Sequence, residues 1–166
     1  MRIVVLLSFL LGISSAIAIE KADYPEPNYS LLNTSLQGLP VVLLVNSALV
    51  DFTSKEDFPW HLSIIIDIQE LAEKGMPTQP ESLLVTELAE QLENEITKTK
   101  NAVFFVRQTW NGKKQLIFRV SNPKEADKTL KSLLLTHNVR EWEYQMERDN
   151  EWFFAEVYFN VLATAK

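Results

Sequence analysis

The chain has no cysteine, four glycines and two histidines among its 166 residues. Each shortage removes a class of chemistry. Without thiols there is no thiolate nucleophile, no disulfide staple and no cysteine to acylate behind a leader. Four glycines leave little for a phosphate-cradling loop, and neither a P-loop nor a G-x-G-x-x-G fingerprint occurs. There is no G-x-S-x-G elbow and no H-E-x-x-H helix. His61 and His137 lack the spacing of metal ligands. No metal, no cofactor and no catalytic residue is therefore assigned. Cations are scarce as well, with 16 Lys and Arg against 22 Asp and Glu. A net charge of −6 repels phosphate backbones and anionic headgroups. Neither nucleic acid nor a membrane surface is expected as a partner.

One uninterrupted apolar run stands out, IVVLLSFLLGI at 3–13, behind Met1-Arg2 and ahead of Ala16-Ile17-Ala18. A bilayer span needs roughly 20 apolar residues. This run is shorter and ends in small residues, the pattern of a signal peptide over 1–18 cut after Ala18. The expected location is exported, in the periplasm of a Gram-negative bacterium or secreted. Losing Arg2 leaves 15 basic against 22 acidic residues, a net charge of −7. Residues 19–40, rich in Pro, Asn and Ser, read as a linker or irregular lead-in, and 41–166 as a single domain.

Within that domain, VVLLVNSALVDF (41–52) suggests strands or a hairpin around Asn46-Ser47. WHLSIIIDI (60–68) alternates, with Leu62, Ile64, Ile66 and Ile68 on one face and His61, Ser63, Ile65 and Asp67 on the other. Residues 78–99 switch to helical spacing, with Leu84, Val85, Leu88, Ala89, Leu92 and Ile96 in one stripe. Thr78 and Glu81 match a capping box. The turn Asn111-Gly112 predicts a hairpin over 101–121. A two-residue loop pairs Phe105 with Phe118, whereas a three-residue loop pairs Val106 with Phe118; both bury aromatics. Asn122 caps a second helix whose face carries Ala126, Leu130, Leu133, Leu134 and His137. WEYQME (142–147) alternates again, Trp142, Tyr144 and Met146 inward and Glu143, Gln145 and Glu147 outward. Asp149 is placed to cap a short closing helix, and Trp152, Phe153, Tyr158 and Phe159 read as a plug for the core.

The order strand-helix-strand, twice, predicts an α+β fold of the ferredoxin-like split βαβ-βαβ type. It would be a four-stranded antiparallel sheet with both helices on one face, plus N-terminal strands and a short C-terminal helix. The uncovered face would present His61, Ser63, Asp67, Glu143 and Glu147, joined by Arg107 or Arg119 according to the hairpin register. This face is the candidate binding surface, for a protein partner or a second copy. The alternative is a small-molecule hydrolase centred on His61, Ser63 and Asp67. Residues two apart on a strand lie roughly 6.6 Å apart, beyond the ~3 Å reach between nucleophile and base.

FPWHLSIIIDI, GMP, QLIFRVSNP and ERDNEWFFAE, in this order, resemble the domain of unknown function 695 family over residues 41–160. The correspondences fall on Pro59, on Gly75-Met76-Pro77, on Phe118 and on Asp149 with Trp152. That family is similar in fold to the regulator of ribonuclease activity B, which acts by binding an enzyme. The resemblance implies a ferredoxin-like fold, offers no established activity and supplies no catalytic residues. The ribonuclease role itself does not carry over, because that target is cytoplasmic and this chain reads as exported.

Overall fold

The computed structural model describes residues 24–165, so the expected leader over 1–18 lies outside the described residues. The fold is α+β, with six antiparallel strands and three helices. The strands are β1 (Tyr29–Leu36), β2 (Leu39–Asn46), β3 (Trp60–Asp67), β4 (Ala102–Trp110), β5 (Lys113–Val120) and β6 (Trp142–Arg148). They lie side by side in the order β1-β2-β4-β5-β3-β6. Helix α1 (Gln79–Thr97) joins β3 to β4, α2 (Pro123–Thr136) joins β5 to β6, and α3 (Glu156–Thr164) closes the chain.

The sheet is thus wider than the four strands expected, and residues 19–40 are not wholly a lead-in. Tyr29–Leu36 pairs with β2 across Gln37-Gly38, where both residues take positive φ (53° and 79°) as a two-residue primed turn requires. Polar Asn33, Thr34 and Ser35, followed by Pro40 near the start of β2, disguise this hairpin as loop. Beyond β2 the second apolar run is a 3-10 turn, Ser47–Leu49, started by Asn46.

Period-two alternation gives the sheet two apolar faces. On the helix side, Leu62, Ile64 and Ile66 of β3 meet Leu116, Phe118 and Val120 of β5, with Val85, Leu88 and Leu92 of α1 and Leu130 of α2 above them. On the opposite side, Val41, Leu43 and Val45 of β2 and Phe105 of β4 pack under Leu49, Phe58, Trp152 and Leu162. Fully burying each such side chain contributes about 1.5–3 kcal/mol. The second face is therefore half closed, where the sequence predicts it open throughout. The loop 47–58 and the C-terminal segment cover β2, β4 and part of β5. β3 and β6 stay uncovered there.

The β4–β5 hairpin combines the two registers weighed above. Near the tip Trp110 pairs with Lys113 across Asn111-Gly112, giving a two-residue loop. A bulge then intervenes, so that Val106 faces Ile117 but Phe104 faces Phe118. The extra residue sends Phe105 and Val106 to the same side. It also turns Arg107 toward α1, where its guanidinium donates to Glu93 at 2.8 Å and Glu90 at 3.4 Å. Lys114, next to the hairpin tip, is buried beneath α1 and donates to Thr86 at 3.1 Å.

Thr78 caps α1 as expected, accepting from the Glu81 N–H. Glu81 does not reach back to complete a capping box. It is 2% exposed and takes paired hydrogen bonds from Arg140, at 2.6 and 2.9 Å, with a third from the Gln69 N–H. In α2, Ala126, Leu130 and Leu133 are buried, while Leu134 is exposed and His137 forms the C-cap.

The Gly75-Met76-Pro77 turn lies beneath the hairpin tip, its Gly75 carbonyl accepting from the Gly112 N–H at 2.8 Å. Gly75 has φ +74°, and a Cβ there would sit 2.9 Å from Asn111 Cα. Gly38 has similar φ (+79°) with nothing within 4 Å. Gly38→Ala should cost about 1 kcal/mol of strain and Gly75→Ala about 2–3 kcal/mol, because the clash adds to the strain. Urea denaturation of the two variants checks this; equal losses would contradict it.

Candidate functional site

The uncovered part of the second face is a strip two strands wide. β3 supplies His61, Ser63, Ile65 and Asp67, and β6 supplies Glu143, Gln145 and Glu147, because alternation sends their apolar neighbours to the helices. The register sets His61 beside Glu147 and Ser63 beside Gln145. Across the other edge of β3, His61 meets Arg119, and Asp67 meets Lys113. Arg107 is absent from this strip, since the bulge carries it to the opposite face.

The polar groups on β3 are largely engaged with β5. Gln115 donates to Ser63 Oγ at 2.8 Å, and Lys113 donates to the Asp67 carboxylate. His61 Nδ1 is buried and has no hydrogen-bond partner among the described residues. Ser63, His61 and Asp67 therefore form no nucleophile–base–orienter chain. Among the described residues, no group of three or more His, Asp and Glu converges as a metal cage would require.

The strip is bounded by a buried polar latch. Arg119, on the same face of β5, has no exposed surface. One of its terminal nitrogens donates to Asp149 Oδ2 at 2.8 Å and the other to the Asp149 carbonyl at 2.6 Å. Its guanidinium lies 4.6 Å from the centre of the Trp152 ring, where cation–π attraction in a dry site adds to the ion pair. Asp149 is held in turn: its N–H donates to the Pro59 carbonyl at 2.8 Å, and its carboxylate accepts from the N–H groups of Phe153 (2.8 Å) and Phe154 (3.1 Å). It thus satisfies the first N–H groups of the 3-10 turn Phe153–Ala155 that leads into α3, although the N-cap position itself is Trp152 and not Asp149 as expected.

Trp152 is 2% exposed, as the plug reading requires, with Tyr158 and Phe159 partly buried beside it. Phe153, expected in the plug, is instead 68% exposed because its backbone turns it outward. The Trp152 indole N–H donates to the carbonyls of Lys55 (3.0 Å) and Phe58 (3.1 Å). It reaches that position through a left-handed backbone, φ +58°, a strained conformation tolerated because contacts on all sides fix it. Pro59, Asp149 and Trp152 converge here, while Gly75 and Pro77 shape the turn at the hairpin tip.

Charge states follow from these surroundings. Burial pushes the Asp149 carboxyl up, but the Arg119 bond and the two backbone N–H groups more than offset this and hold it below its ordinary value. Burial lowers the Arg119 guanidinium, which still stays charged at neutral pH. His61 is lowered to about 4, by burial first and by the Arg119 charge second, with Asp149 opposing. Its ring lies 5.0 Å from that of Phe154, so the imidazole is a neutral spacer between strip and latch.

The Arg119–Asp149 pair was not legible as a pair, because thirty residues separate its members. The available signal was a lone arginine inside the apolar strand LIFRV, which demands a buried counter-charge. The Glu81–Arg140 pair has no comparable signal.

Asp149→Ala leaves a buried guanidinium uncompensated, and a loss of about 3–5 kcal/mol is expected in denaturant titration. The double variant Arg119→Met with Asp149→Ala should recover part of it; no recovery would show the pair to be incidental. For His61, whose folded value lies below the unfolded ~6.5, the unfolded chain binds the extra proton. Stability should be full above pH 6.5 and decline as pH falls toward 4. Allowing for partial exposure, the decline is roughly 1–2 kcal/mol. His61→Phe should show a smaller loss over that window; an identical profile would place the titration elsewhere.

The model of the family of unknown function DUF695 matches residues 28–163, and the chain belongs to that family. The match starts at the first strand, so the domain begins before residue 41. No curated protein and no solved structure matches the chain.

Proposed function

We propose that this member of the family of unknown function is a non-catalytic binding or regulatory module, exported behind a cleaved leader, whose contact surface is the β3–β6 strip. The observation that carries the reading is the state of the strip's polar groups. On β3 and β5, Ser63 is tied to Gln115 and Asp67 to Lys113, which leaves His61 Nδ1 without a partner among the described residues and the three β3 groups unlinked to one another. On β6, Glu143, Gln145 and Glu147 are exposed and ready for a partner.

The frame behind this surface is, in this reading, a ferredoxin-like split βαβ unit widened by a hairpin. The antiparallel run β4-β5-β3-β6, with α1 and α2 as its crossovers, supports that assignment. The leader supports export, and the acidic balance argues for a protein partner over nucleic acid or an anionic membrane.

The test is affinity capture of the tagged protein from the envelope of its own cell, with intact-mass measurement of the captured chain. A mass beginning at Ile19 is expected, together with a partner lost when Asp67, Glu143 and Glu147 are each changed to Lys. Retention of every partner by that variant would remove the strip from consideration. A mass beginning at Met1 would remove export.

A further inference from the structure

The strip runs without a break into an apolar depression on the outer side of α3. Ala155 and Leu162 face the core, but Phe153 is 68% exposed, Val157 58% and Phe154 39%. These three, with Val161, wall a depression of about 580 Å³ whose rim carries Glu156. Phe154 joins the two surfaces, because its ring lies against His61 and His61 sits beside Glu147 in the register.

The charge along β6 and the start of α3 is mostly acidic, with Lys113 at the far end of the strip bonded to Asp67. Glu143, Glu147, Glu151 and Glu156 are all exposed. The ion pairs among the described residues engage other carboxylates, those of Glu81, Glu90, Glu93, Glu95, Asp67, Asp127 and Asp149. Arg148 alternates to the helix side of β6, and Lys113 is held by Asp67. A row of unpaired carboxylates therefore leads to a socket large enough for a Leu- or Phe-sized side chain.

Resting on the strip as the binding face, we propose that its partner is a basic, amphipathic protein segment, with an apolar side chain seated between Phe153, Phe154 and Val157 and lysines or arginines over Glu147 and Glu143. Four strand residues span roughly 13–14 Å, so cations at every second residue of an extended segment match both carboxylates. The opposite charges speed encounter and fix register, and the apolar anchor slows release. A second copy of this chain would bring its own negative charge to the same surface and fits less well.

The test uses fluorescent dodecapeptides of alternating leucine and lysine, of leucine and glutamate, and of serine and lysine. Anisotropy gives affinity for the purified protein, and amide NMR shifts give the location. The leucine–lysine peptide should bind, weaken with salt and shift the amides of β6 and α3. Glu143→Lys with Glu147→Lys, and separately Val157→Asp, should each weaken it by about tenfold or more, and the serine–lysine peptide should bind about tenfold more weakly. If the leucine–glutamate peptide binds the strip equally well, the basic-partner inference falls and the strip survives as a binding face. If binding ignores the substitutions, or the shifts lie elsewhere, both fall. A wild-type dimer in sedimentation that Val157→Asp dissociates would assign the depression to a second copy and overturn the proposal.

Discussion

A guanidinium without exposed surface in a central strand obliges the rest of the molecule to bring it a carboxylate, and the second face of this fold is arranged around that obligation. Arg119 cannot shed its proton at neutral pH, and isolated burial of such a charge is prohibitive. Asp149 answers it just beyond the end of β6. The same carboxylate takes the Phe153 and Phe154 N–H groups, so the ion pair also fixes where the closing segment begins. Trp152, stacked over the guanidinium, then carries that segment across β4 and β5. What is closed and what stays open on this face follows from one pair.

The consequence for function is a division of the surface. Under the latch the chain is buried and aromatic, with both terminal nitrogens of Arg119 bonded to Asp149 and its Nε left without a partner among the described residues. Beside it the β3 groups are bonded to β5, while the β6 carboxylates project freely. Catalysis would need groups held within reach of one another and left unspent. Here Ser63 and Asp67 are bonded within the sheet, and the free charged groups of β6 on this face are both carboxylates. In the binding role proposed for it, complementary charge would give recognition, and the apolar depression against Phe154 would be the desolvated anchor that charge alone lacks.

Much of this arrangement is legible in the residue order, because its signals are local. Alternation in WHLSIIID and WEYQME fixes which side chains face the helices, and the 3.6-residue spacing of Val85, Leu88, Leu92 and Ile96 fixes the buried side of α1. Thr78, Asn122 and Asn111-Gly112 mark their caps and turn by their own chemistry. What was not legible depends on contacts distant in sequence or on single-residue irregularities. One bulged residue moved Arg107 to the far face. Gln37-Gly38 made a primed turn without the usual Asn or Asp. Glu81 left its capping role because Arg140, 59 residues away, offered a stronger partner. Half of the face expected to be open is covered, because the residue order shows the aromatic run but not the ion pair that directs it.

The most direct test of the latch is native-state hydrogen exchange across the C-terminal segment. If Arg119 and Asp149 hold the segment as part of the global fold, the amides of Phe153 and Phe154 will exchange with the same opening free energy as those of Phe105 and Ile117 in the central strands. If those two amides instead open several kcal/mol more easily, while β4 and β5 stay protected, the segment is an appendage and the ion pair does not organise the face.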